Sequence, residues 1–122
     1  VYETTWKPPG PVCGVTIADP QTGGLPVQLP GKVDSGADIT VIPKGVVASL
    51  QLERKGWSWL RGTASGRHMR PLYVANLQVE GYDVGTLQCV AASRGNVLLG
   101  RGALNYFVLT LDGPNLTLTL AR

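Results

Sequence analysis

Histidine is nearly missing from this sequence: His68 is the only one in 122 residues. A triad or metal site that takes two imidazoles from one chain is thereby excluded. Cysteine is almost as scarce. Cys13 and Cys89 offer neither a disulfide framework nor metal-ligand spacing, so two free thiols in the core are expected. Charged residues make up only 16% of the chain, and the 11 Lys and Arg residues form no dense block. The net charge of +3 is therefore scattered, and nucleic acid is not an expected partner. No apolar run approaches the ~18 residues of a membrane-spanning helix. The chain starts at Val1 rather than Met, as expected of a processed product or of one domain of a longer precursor. Its location in the cell is left open.

Glycine and proline, by contrast, are plentiful. With 16 Gly and 9 Pro between β-branched runs, the sequence points to short strands joined by many turns. A length of 122 residues suits one domain with one core. Residues 1–11, "VYETTWKPPGP", are expected to form an extended arm, and 12–122 the single domain. Strands are predicted over 12–19, in the segment leading into Asp34, over 39–43, on both sides of a long hairpin spanning 56–81, over 82–92 and over 96–100. Pro43 is placed to open a short helix over 44–50. A second helix of about two turns is predicted over 101–107. The last segment, "VLTLDGPNLTLTL", alternates on either side of an Asp-Gly turn and predicts a hairpin.

Two short stretches carry the chemistry. In "GKVDSGADITVIP", Asp34 ends an apolar strand and enters a loop of small residues, Ser35, Gly36 and Ala37. Backbone N–H groups and a hydroxyl can then fix the carboxylate, as a general base requires. Alone, such a pattern is equally an Asx-turn between two strands. The second stretch is "VLLGRGAL", in which Gly100 stands 66 residues after Asp34 and is followed at once by Arg101.

Together the two stretches resemble the retropepsin-like aspartic proteases, the single-domain family that includes the retroviral enzymes. Val33-Asp34-Ser35-Gly36-Ala37 is similar to the family's Asp-Thr/Ser-Gly-Ala signature, and Leu98-Leu99-Gly100-Arg101 to its second one. The resemblance covers roughly 12–120. It implies an all-β, closed acid-protease barrel with a flap hairpin and one or two short helices. It also implies Asp34 as the catalytic acid, supported by Ser35, Gly36 and Ala37, with Asp38 and Arg101 as an ion pair shaping the site. Ile39, Leu98 and the flap tip, Gly62, Thr63, Ala64 and Ser65, are candidates to touch substrate.

Because the chain holds one such Asp motif and the chemistry needs two carboxylates, a homodimer is implied. The expected activity is endopeptidase cleavage of extended peptide or protein segments with apolar residues at the cut, without metal or cofactor. A dimeric binding or assembly module on the same fold is the alternative. Trp57 and Trp59 are expected to pack under the flap, and His68 to face solvent.

Overall fold

The computed structural model describes residues 1–22, 24–62 and 66–122, except the side chains of 58–62 and 66–68. Its elements are Tyr2–Glu3 (β1), Gly10–Ala18 (β2), Val27–Val33 (β3), Thr40–Pro43 (β4), Lys44–Leu50 (α1), Arg54–Gly62 (β5) and Gly66–Val79 (β6). Then follow Tyr82–Ala92 (β7), Val97–Leu99 (β8), Arg101–Leu104 (α2), Val108–Asp112 (β9) and Thr117–Ala121 (β10). Strands β2, β3, β8, β4, β7 and β6 pair in that order, and β2 pairs again with β6. The sheet thereby closes into a barrel, as expected from the sequence, and the barrel has six strands.

Alternation explains which residues line it. Cys13, Val15 and Ile17 point inward from β2, and Ala75, Leu77 and Val79 do so from β6, while the residues between them reach the surface or lie at its edge. β4 differs, because all four of its residues are buried. It lies between β8 and β7 within the sheet and carries no solvent-facing side. Pro43 closes it and serves as N-cap of α1, as its fixed φ allows. The helix ends at Gln51, which takes a left-handed conformation at φ 52°. Val46 from α1 and Ala103 and Leu104 from α2 join the same core. Each fully buried Val, Leu or Ile contributes about 1.5–3 kcal/mol relative to exposure.

A two-residue turn, Glu80-Gly81, joins β6 to β7 with both residues at positive φ, the geometry that matches strand twist. Glu80 also ties back to β2. Its N–H donates to the Gly14 carbonyl (2.9 Å), and its carboxylate accepts the Gly14 N–H (3.1 Å).

Three sequence expectations need adjusting. Residues 1–11 do not run out as a plain extended arm: Tyr2 pairs opposite Pro11 and Glu3 opposite Gly10, so the chain doubles back on β2. The second helix is only four residues long. Beyond Asn105 the chain continues through turns, with the Phe107 N–H on the Leu104 carbonyl (3.0 Å), before β9 begins. The last hairpin turns through four residues, 113–116, rather than at Asp-Gly itself. Asp112 stays in the strand and its carboxylate accepts from Asn115, at 3.2 Å from the backbone N–H and 2.8 Å from Nδ2. Both thiols are free and buried. No helix of the described residues is long and apolar enough to cross a membrane.

Candidate active site

β3, β8 and β4 build the site. β3 runs parallel to β8, with Val33 opposite Leu99, and β4 runs antiparallel to β8 at Val41 and Leu98. The loop from Asp34 to Ile39 therefore has to cross the end of β8 to get from one neighbour to the other. The crossing starts with the Asp34 N–H donating to the Leu99 carbonyl (3.0 Å). Asp34 is half-buried, and its Oδ1 accepts the Gly36 N–H at 3.0 Å. The Ala37 N–H closes the turn on the Asp34 carbonyl (3.2 Å). One carboxylate oxygen is thus fixed from within the loop.

The underside of the loop rests on Gly100. A Cβ built there would lie 2.6 Å from the Ile39 carbonyl oxygen and 3.0 Å from that of Ala37, so only glycine fits. The next residues stitch the loop down. Arg101 N–H donates to the Ala37 carbonyl (2.8 Å), and Gly102 N–H to the Asp38 carbonyl (3.2 Å). The Arg101 guanidinium donates to the Ser35 carbonyl (2.8 Å) and pairs with the Asp38 carboxylate. That ion pair is largely exposed, so its value lies in holding geometry more than in Coulomb energy.

Asp34, Ser35, Gly36, Ala37, Asp38 and Arg101 therefore come together as one loop with its brace. Ser35 and Gly36 are exposed at its crest. Ile39 and Leu98 are half-buried beside it. Gly62 ends β5 opposite Gly66, at the far end of the β5–β6 hairpin. Thr63, Ala64 and Ser65 lie outside the described residues, as do the side chains of Trp59 and His68. Trp57 is described, and its indole is half exposed beneath the Arg54 guanidinium, 5.0 Å from the ring centroid.

One contributor escaped the sequence reading. Thr40 is 2% exposed, and its Oγ1 accepts the Gly100 N–H at 3.2 Å. The signal was present: a hydroxyl within the otherwise apolar strand "ITVIP" has to find a buried partner. The second bond of Arg101, to a main-chain carbonyl rather than to Asp38, likewise had no mark in the sequence.

Burial pushes the Cys13 thiol up to about 11, with the nearby Glu80 charge adding to the effect, and pushes Cys89 up to about 12. Both are therefore neutral thiols near pH 7 and carry no nucleophilic chemistry.

The fold that carries this loop is also found in solved structures. The chain is similar to the protease of equine infectious anaemia virus in complex with the inhibitor HBY-793, at TM-score 0.62 and 19% identity over 80% of this chain and 86% of that one. The fold is that of a retroviral protease. The solution structure of simian foamy virus protease agrees, at TM-score 0.58 and 19% identity over 79% of this chain and 93% of that one. The foamy viral protease–reverse transcriptase bound to an RNA/DNA hybrid matches at TM-score 0.59 and 16% identity over 80% of this chain, which spans 12% of that longer one. No protein-family model and no curated protein sequence matches the chain.

Proposed function

We propose that this retropepsin-fold chain is one half of a homodimeric aspartic endopeptidase. The observation that carries the reading is Asp34, held half-buried by the Gly36 N–H on a loop braced from below by Gly100 and Arg101. A single carboxylate cannot both accept and donate a proton in the same step. A second copy of the chain brings a second Asp34 to a twofold axis. Two carboxyl groups about 3 Å apart share one proton and titrate as a pair.

The ionised member then takes a proton from a water lying between them. The protonated member donates its proton to the scissile carbonyl oxygen as the water oxygen bonds to the carbonyl carbon. The resulting diol collapses by breaking the C–N bond, with a proton passing to the leaving nitrogen. In this reading Ser35, exposed on the crest of the loop, bonds across the axis. Substrate lies extended between the loop and the β5–β6 hairpin, its backbone adding to the sheet, and its side chains at the cut are apolar.

Asp34→Asn is the direct test. It keeps the Gly36 N–H bond through an amide oxygen but removes the shared proton. Cleavage of a peptide library at mildly acidic pH is expected to fall by several orders of magnitude, with the circular dichroism spectrum unchanged. Wild-type cleavage by Asp34→Asn would overturn the mechanism. A wild-type dimer that cuts no peptide favours the binding-module alternative.

A further inference from the structure

The charges on this chain are less evenly spread than their number suggests. The β5–β6 hairpin, 54–79, holds Arg54, Lys55, Arg61, Arg67 and Arg70, five of the chain's 11 Lys and Arg residues, and none of its 8 Asp and Glu. The strand register sets Arg61 opposite Arg67, so one sign of charge continues from the base of the hairpin toward its tip. The acids that flank the hairpin in sequence are already engaged. Glu53 pairs with Lys55 at 3.0 Å, and the Glu80 carboxylate accepts the Gly14 N–H. Arg54 and Arg70 form no salt bridge among the described residues.

One face of the hairpin continues the lining of the barrel. Tyr73 packs against the core that includes Ala75, Leu77 and Val79, and alternation puts Pro71 and Met69 on the same side of β6. Trp57 pairs with Pro71 across the hairpin. Beyond the barrel this face loses its cover: Trp57 is 51% exposed and Met69 47%. The Arg54 guanidinium stands over the Trp57 ring, 5.0 Å from its centroid. A guanidinium over a ring is held from one side and keeps N–H groups free for a carboxylate. Indole, thioether and guanidinium together suit an apolar segment that carries an acid nearby. Arg70, opposite Ser58, adds its charge from the other face.

We infer that the peptide taken by this chain is acidic around its apolar cut residues, with a substrate carboxylate drawn in by the charge of the β5–β6 hairpin and received by Arg54. The inference rests on the aspartic-protease reading, which lays the substrate between the Asp34 loop and this hairpin. A surface of one sign over a cleft raises the local concentration of an oppositely charged substrate, and the effect fades with salt. A segment flanked by Glu gains from that surface. One with the same apolar centre flanked by Lys is repelled by it.

Two peptides that share one apolar centre, flanked by Glu in one and by Lys in the other, test this. The wild-type chain is expected to cleave the Glu peptide with a kcat/KM about 10-fold or more above that of the Lys peptide at low salt, and the ratio is expected to shrink toward one near about 0.5 M NaCl. Arg54→Glu/Arg70→Glu, its fold checked by circular dichroism, is expected to abolish or invert the preference. Arg54→Glu alone, at an exposed position, is expected to remove most of it. Lys7→Glu/Lys44→Glu makes the same change in net charge at exposed sites outside the hairpin and is expected to keep the preference. Binding of the two fluorescently labelled peptides to the Asp34→Asn protein reads the same ratio without cleavage. Equal cleavage of both peptides overturns the inference, as does a preference that survives in both hairpin variants or vanishes in Lys7→Glu/Lys44→Glu, and each of these results leaves the protease reading standing. Selective binding of the Glu peptide by a wild-type chain that cuts neither peptide supports the acidic ligand and overturns the protease reading. A chain that binds single-stranded RNA while discriminating neither peptide overturns the peptide assignment.

Discussion

Replacing Gly100 by Ala tests whether close packing beneath the Asp34 loop is what holds that loop in place. Gly100 has φ −88° and ψ 179°, extended backbone open to any residue, so alanine brings no conformational strain. Its Cβ is the difficulty. It would stand 2.6 Å from the Ile39 carbonyl oxygen, 2.7 Å from the Ile39 carbonyl carbon and 3.0 Å from the Ala37 oxygen. All three are main-chain atoms, so no flexible side chain can swing aside, and α2 and the loop must part. Overpacking of this kind costs about 1–3 kcal/mol. Parting them also weakens the bonds from the Gly100, Arg101 and Gly102 N–H groups, each with a net worth of about 1 kcal/mol. The expected loss is about 3–5 kcal/mol, a large share of the about 5–15 kcal/mol that holds a domain folded. Gly45→Ala is the matched control. It sits in α1, where an added Cβ would meet no atom within 4 Å, and alanine there is expected to stabilise by about 0.5–1 kcal/mol. Urea unfolding of the two variants beside wild type, followed by tryptophan fluorescence, measures both signs. A Gly100→Ala protein within about 0.5 kcal/mol of wild type would show that the loop has slack beneath it and that the packing argument is wrong.

Thr40→Val removes the acceptor for the buried Gly100 N–H and is expected to cost about 1–3 kcal/mol in the same assay, whereas Thr40→Ser, which keeps the hydroxyl, should recover most of it. Arg101→Lys keeps the charge but loses the fork that reaches both Ser35 and Asp38. We expect a stability change under about 1 kcal/mol, because the pair is largely exposed, together with a marked fall in peptide cleavage. Unchanged cleavage would show that the guanidinium does not orient the loop. The two buried thiols give a pH signature. Their pKa values rise on folding from 9.0 to about 11 and about 12, so the neutral form is favoured in the fold. Their contribution is present below pH 9 and is lost as pH climbs through the folded values. Cys89→Ala should therefore show a shallower fall in urea midpoint above pH 9 than wild type, and equal slopes would refute the assignment.

Much of this architecture was legible in the sequence, and the parts that were not share a cause. β2, β3, β7 and the terminal hairpin announce themselves by alternation and turn residues, which are local signals. The Asp34 loop and its Gly100–Arg101 brace are also readable, because each stretch has its own distinctive composition. What stayed hidden depends on partners far along the chain. Pairing of β1 with β2 rests on a main-chain register that Tyr2 and Glu3 do not encode by type. The bond between Thr40 and Gly100 links positions that only the barrel brings together. The early end of α2 was unexpected because "ALNYF", after Gly102, has neither glycine nor proline. There the next strand, docked through Leu109, wins over local helix propensity.

The brace on the Asp34 loop has a consequence for the order of events during folding. Among the described residues, every bond that pins the crest from outside comes from residues 99–102, some 66 positions downstream. The strand carrying Asp34 emerges from synthesis early, but nothing can arrest its loop until β8 has threaded between β3 and β4. Closing a segment of that length is slow compared with forming a helix or hairpin. A nascent or truncated chain lacking residues 99–102 therefore displays the Asp-Ser-Gly sequence without its formed geometry. Such a fragment is expected to be inert on its own, and the proposed activity to begin only after the carboxyl-terminal quarter has folded.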